Sequence, residues 1–176
     1  MKKSLGIILL LLFFGVCIFL GYSIISKINY KKEVQKHIKT IPEFSFLNSE
    51  GQPFTHKNLK KGIPVIFIYF NTECEYCHEE ASMIEQYRDR FKDFQLLFIS
   101  FEKPEKIRKF SQHYKLDHYD HVHFLFDSQA AFASAFDAQS LPCIILYDKN
   151  HNLIDKIKGQ VKPENLFKKL NNQKSL

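Results

Sequence analysis

The chain has 176 residues, 45% apolar and 25% charged, with a formal net charge of +6. That composition excludes a disordered polymer and leaves material for one ordinary globular core. Lys2, Lys3 and Lys27 flank an apolar N-terminal stretch, so the remainder carries only +3. No Lys/Arg cluster interleaved with aromatics supports nucleic-acid binding.

Leu5 to Ile25 is a run of about 21 residues without a charge, enough to span the ~30 Å hydrocarbon core of a bilayer as a helix. The run is longer than the apolar core of a cleavable signal, and Gly21-Tyr22-Ser23 is a poor cleavage site. Phe14-Gly15-Val16 before Cys17 lacks the small residue that precedes a lipidated cysteine, so Cys17 reads as a small apolar residue inside the span. The expected organisation is a signal-anchor transmembrane helix over 1–27, a polar tether over 28–40 and one domain over 41–176. Lysines stand on both sides of the span, so the positive-inside rule alone does not orient it.

From Ile41 the texture changes. Ile41 to Leu47 alternates apolar and polar, as an extended strand does. Asn48-Ser49-Glu50-Gly51 is a turn, Gln52-Pro53-Phe54 returns as a second strand, and Thr55 to Lys60 reads as a helical turn. Pro64 to Phe70 is a continuous apolar run, the signature of a strand buried on both faces. Cys74 to about Phe91 reads as a helix, with acidic residues crowding its first turns. Strands follow over Phe94–Phe101, Val122–Phe126, Leu141–Tyr147 and Leu153–Lys158. Helices are expected over Pro104–Tyr114, from Asp127 or Ser128 to about Phe136, and from Pro163 to about Leu170. The alternation implies an α/β domain with a central, mixed and mostly parallel sheet covered by helices on both faces.

The chemistry centres on Cys74-Glu75-Tyr76-Cys77, a C-x-x-C opening a helix after a buried strand. A structural zinc site wants a second ligand pair, and His78 alone does not complete a tetrahedral set. The position instead suits a redox dithiol. Unpaired N–H groups and the dipole at a helix N-terminus favour a thiolate. Cys74 would attack a substrate disulfide, and Cys77 would resolve the mixed disulfide. Glu73, Glu75, Glu79 and Glu80 oppose the thiolate electrostatically, which argues for a reductant over a strong oxidant. Glu80 lies three residues after Cys77 on the same helical face. It could take the Cys77 proton or be a plain surface residue. Pro142, in Leu141-Pro142-Cys143, opens a strand where proline is unusual; X-Pro is also the common cis peptide.

These segments together resemble the thioredoxin superfamily, and within it the TlpA/ResA-like membrane-anchored thiol–disulfide oxidoreductases. The resemblance covers roughly Ile41 to Leu170. It rests on Ile41-Pro42-x-Phe44-x-Phe46 with Gly51-x-x-Phe54, on Phe70 through Glu80, and on Leu141 through Asp148. It implies a thioredoxin-like fold with an N-terminal β-hairpin extension and one extra β/α unit at about Glu102–Phe126. It also implies catalytic Cys74, Cys77 and Glu80, and a cis Pro142 facing the cysteine pair. No cofactor or metal is implied. The implied partners are protein thiol or disulfide substrates and a membrane or periplasmic electron donor. The implied location is the inner membrane, with the domain facing the periplasm or extracytoplasmic space. Glu73 and Tyr76 depart from the family pattern, and Cys143 stands where threonine is common. Cys143 is either a third redox thiol or a small buried hydrophobe.

Two other readings set limits. A peroxiredoxin would carry Pro-x-x-x-Thr/Ser-x-x-Cys, but Phe67 and Asn71 stand at those positions before Cys74. A copper-handling protein of similar fold would use a wider cysteine spacing and a distant histidine. His113, His118, His121 and His123, with Asp117 and Asp120, are the residues that could serve it. They otherwise read as a solvated loop.

Overall fold

The computed structural model describes residues 2–171; the side chains of residues 2–6 and 8–11 lie outside that description. The flanking Lys2-Lys3 side chains, the terminal amine and residues 172–176 of the expected domain therefore fall outside it. The chain divides into two compact units, Met1–His37 and Ile38–Leu176.

The first unit is one helix, α1 (Lys2–His37). Its segment Leu12–His37 is long and apolar enough to cross a membrane. Helicity runs through the polar stretch expected as a tether and stops at His37. Ile38, Lys39 and Ile41 belong to the second unit and are pinned to it. The Tyr147 hydroxyl donates to the Ile38 carbonyl at 3.0 Å, and the Leu153 N–H donates to the Lys39 carbonyl at 2.8 Å. Ile38 itself is buried.

The second unit is a thioredoxin-like α/β domain. Its strands are β1 (Ser45–Leu47), β2 (Pro53–Thr55), β3 (Val65–Tyr69), β4 (Gln95–Ser100), β5 (Val122–Phe126), β6 (Cys143–Tyr147) and β7 (Leu153–Lys158). The helices are α2 (Glu75–Gln86), α3 (Arg88–Phe91), α4 (Pro104–His113), α5 (Ala131–Ala135) and α6 (Pro163–Asn171). The strands form one sheet in the order β2-β1-β5-β4-β3-β6-β7.

The sheet is mixed, but the expectation of mostly parallel pairing does not hold. Only β3–β4 and β4–β5 pair in parallel, against four antiparallel pairings. β5 runs parallel to β4 and β3, whereas β6 runs antiparallel to β3 and so begins at the sheet end where β5 stops. The β1–β2 and β6–β7 hairpins and the β1–β5 pairing supply the other antiparallel contacts.

Two helices also differ from expectation. The single helix expected over Cys74–Phe91 is interrupted at Tyr87 (φ −104°, ψ 17°), which ends α2 and opens α3. After the break, Phe91 of α3 packs against Phe167 of α6, with ring centroids 4.7 Å apart and the rings tilted by 43°. The helix expected from Asp127 or Ser128 starts only at Ala131. Ala130 sits in the left-handed region (φ 51°) and blocks an earlier start. Asp127 still caps, accepting the Phe132 N–H at 2.7 Å.

β3 explains why the apolar run is continuous: all five of its residues are buried. Ile66 and Ile68 point to the face covered by Ala81 and Ile84 of α2, Ile107 and Phe110 of α4, and Leu166 of α6. Phe67 and Tyr69 point to the other face, against Phe132 and Phe136. Each fully buried aromatic or aliphatic side chain contributes about 1.5–3 kcal/mol.

Candidate active site

Cys74 is the N-cap of α2, with extended backbone (φ −88°, ψ 115°). β3 delivers the chain to this point through a turn built on Asn71. The Cys74 N–H donates to the Asn71 carbonyl at 3.3 Å, and the Glu73 N–H donates to Asn71 Oδ1 at 2.7 Å. The Cys77 and His78 N–H groups both donate to the Cys74 carbonyl, at 3.0 and 3.1 Å. Cys74 is partly exposed and Cys77 is buried, and both are free thiols. The two side chains lie within hydrogen-bonding reach of each other. Burial first, then the hydrogen bond with Cys74, pushes the Cys77 thiol well above its ordinary range, and Glu80 adds to the shift.

Glu80 is not a surface residue. It has 0% exposure and sits in the first turns of α2. One carboxylate oxygen accepts the Val161 N–H at 2.9 Å. The other has no hydrogen-bond partner among the described residues. Burial pushes its pKa up to about 7, and the Val161 hydrogen bond opposes the shift. A carboxyl that changes charge near neutrality therefore lies beside a thiol that resists ionising.

The acidic surroundings expected of Cys74 are weaker than their count implies. Glu73 is ion-paired to Lys106 at 2.6 Å, and that contact lowers its pKa. With Glu80 held up by burial, Glu75 and Glu79 remain as exposed carboxylates on the first turns of α2.

The Leu141–Pro142 peptide is cis and Pro142 is buried. Cys143 pairs opposite Tyr69, so Leu141 and Pro142 lie at the end of the sheet from which the Phe70–Cys74 loop departs. Cys74, Cys77 and Glu80 thus share one helix, and Pro142 comes to the same sheet end from β6. A cleft of about 220 Å³ between the β1–β2 turn and α4, lined by Leu47, Arg108 and Phe124 among others, contains none of these four residues.

Cys143 is fully buried, and burial pushes its thiol up to about 11. As the cross-strand partner of Tyr69, it shares that residue's face of the sheet. Cys77 packs instead with Ile144 and Leu146 on the opposite face. The structure places Cys143 as a packing residue. A Cys143→Val chain should keep disulfide-reduction activity within about twofold and lose less than about 1.5 kcal/mol of stability. A larger loss of turnover at unchanged stability would make it a redox thiol.

The histidine-rich segment does not gather. His118 pairs with Asp117 at the surface, and burial lowers the pKa values of His121 and His123. Among the described residues there is no group of three or more His, Cys, Asp or Glu side chains placed to hold a metal.

Sequence reading missed the surroundings of Thr72. The sequence presents His78 only as part of an incomplete zinc-ligand set. Its Nε2 donates to the Thr72 carbonyl at 2.8 Å, and its Nδ1 lies 2.7 Å from the Tyr114 hydroxyl. Glu102 accepts both the Thr72 N–H, at 2.5 Å, and the Thr72 hydroxyl, at 3.0 Å. The adjacency of His78 to Cys77 was the one available signal; Glu102 carries none.

A thioredoxin-like domain with a dithiol at the N-terminus of its first long helix defines the class. The AhpC/TSA family model matches residues 38–156, and the chain belongs to that family. It is 22% identical over 169 residues to the protein named thiol-disulfide oxidoreductase ResA of Bacillus cereus (strain ZK / E33L), covering 94% of this chain and 95% of that one. Among solved structures it resembles dsbF of Mycobacterium tuberculosis, with TM-score 0.63 at 17% identity, covering 77% of this chain and 96% of that one. It resembles peroxidoxin BcpB of the same organism equally well, with TM-score 0.63 at 19% identity over 78% and 95% of the two chains.

Proposed function

We propose that this chain is a membrane-anchored thiol–disulfide oxidoreductase that reduces protein disulfides through Cys74 and Cys77. The observation that carries the reading is the asymmetry of the pair: an accessible sulfur at the N-cap of α2 and a buried one beside a buried carboxyl. The Cys74 thiolate attacks one sulfur of the substrate disulfide. The substrate S–S bond breaks, a mixed disulfide forms, and one substrate thiolate leaves. Glu80, as carboxylate, accepts the Cys77 proton. The Cys77 thiolate then attacks Cys74 Sγ, releasing the second substrate thiolate and closing the Cys74–Cys77 disulfide. Two electrons pass from the dithiol to the substrate. A dithiol donor at or beyond the membrane must return them.

Pro142 lies at the sheet end from which the Cys74 loop departs, and in this reading an extended substrate segment would lie against that end. The apolar part of α1 anchors the domain, which faces the extracytoplasmic side, where disulfides form and persist. The relatives' name, thiol-disulfide oxidoreductase, supports the assigned chemistry.

The peroxidoxin likeness makes peroxide the contrasting substrate. The reduced full-length chain in detergent is expected to cleave insulin disulfides catalytically with a dithiol donor. Turnover of hydrogen peroxide without insulin reduction would overturn the assignment.

A further inference from the structure

Thr72, two residues before Cys74, has three of its polar groups taken by side chains from elsewhere. Its N–H and hydroxyl both donate to Glu102, which lies between β4 and α4 and whose side chain is 8% exposed. Its carbonyl accepts from His78 Nε2. Since a carbonyl only accepts, Nε2 carries a hydrogen, and the Tyr114 hydroxyl lies 2.7 Å from Nδ1. Tyr114 ends α4. Lys106, also on α4, bridges Glu102 at 3.2 Å and Glu73 at 2.6 Å. All these outside contacts come from α2 or from the Glu102–Tyr114 segment, so the β/α unit inserted after β4 holds the loop that ends in Cys74.

We propose that Glu102 and His78 are positioning residues that clamp Thr72 and thereby hold the Cys74 sulfur at the α2 N-terminus. The clamp acts through geometry. A loop held only by the Asn71 turn could swing, and a displacement of about 1 Å at a reacting atom can cost on the order of 100-fold in rate. Glu102 takes two bonds from one residue, so it fixes both the position and the rotation of Thr72. Glutamine at this position would keep both bonds: its oxygen accepts the Thr72 N–H and its amide donates to the Thr72 hydroxyl, but the negative charge is lost.

This inference rests on Cys74 being the attacking thiol, so the test reads Cys74 without a substrate as well as with one. The full-length chain in detergent is reduced, and alkylation of Cys74 by iodoacetamide is followed by mass spectrometry at neutral pH. Insulin reduction and thermal unfolding are measured in parallel. Glu102→Ala is expected to slow both alkylation and insulin reduction by about tenfold or more. Glu102→Gln is expected to retain both within about threefold. Equal slowing in the two variants would show a charge effect and overturn the clamp. So would a Glu102→Ala chain that loses stability but keeps the wild-type Cys74 rate. Should Glu102→Ala fail to fold, His78→Ala decides, because it removes the bond to the Thr72 carbonyl. A slowing of about fivefold supports the clamp, and an unchanged rate overturns it. If wild-type protein alkylates at Cys74 but does not reduce insulin, the proposed activity fails and the clamp is still tested.

Discussion

Cys74→Ser is expected to abolish insulin disulfide reduction by the full-length chain, with residual activity at least about 100-fold below wild type. A hydroxyl at the N-cap preserves the cap geometry, since serine is a favoured N-cap residue. The variant should therefore unfold at or slightly above the wild-type temperature, which separates lost chemistry from lost fold. Cys77→Ser is expected to behave differently. The accessible sulfur remains and still attacks, but nothing resolves the intermediate. A covalent mixed disulfide between Cys74 and the substrate should accumulate on a non-reducing gel and disappear with dithiothreitol. If Cys74→Ser retains full activity, or if Cys77→Ser traps nothing while Cys74→Ser traps substrate, the assigned order of the two thiols is wrong.

Glu80→Gln is expected to make the protein more stable and slower, and both effects depend on pH. Burial raises the Glu80 pKa from 4.5 to about 7. A group with a raised folded-state pKa contributes its full stability below the unfolded value. That contribution is lost as pH rises through the folded value. The window here is therefore about pH 4.5 to 7. At about 1.4 kcal/mol per unit, the charged form costs on the order of 3 kcal/mol above it. Glutamine does not titrate and can still accept the Val161 N–H. Glu80→Gln should unfold roughly 5–10 °C above wild type at pH 8 and close to wild type at pH 4.

The kinetic effect has the opposite sign. Only the carboxylate can accept the Cys77 proton, so wild-type resolution of the mixed disulfide should speed up as pH rises through about 7. Glu80→Gln should lose that inflection and resolve about 100-fold more slowly at neutral pH. Stopped-flow resolution of a preformed mixed disulfide checks this. An unaltered pH profile in the variant would remove Glu80 from the proton path and leave it a buried structural acid.

Strand and helix positions were largely legible because each carries a local signature. The apolar run of β3, Pro104 and Pro163 at helix starts, and the turn before β7 report themselves within a few residues. What failed depended on contacts between distant segments. The break at Tyr87 accompanies the packing of Phe91 against Phe167 of α6, and the late start of α5 answers to the backbone at Ala130. The antiparallel entry of β6 is set by its long-range pairing with β3. No local pattern in β6 encodes its direction.

The sequence alone determined an apolar N-terminal segment of membrane-spanning length and the C-x-x-C at a helix start, because spacing and composition are local properties. It also put Glu80 on the face of Cys77, through the helical repeat. Tertiary structure decided what that carboxyl is. Burial against the Val161 loop removes it from water, and desolvation turns an ordinary glutamate into one that titrates near neutrality. Tertiary structure also decided the fate of Cys143, which alternation along β6 turns away from the pair. The same holds for Thr72, Glu102 and His78: a hydrogen bond between residues 30 positions apart leaves no periodic trace in the chain, and only folding brings the two together.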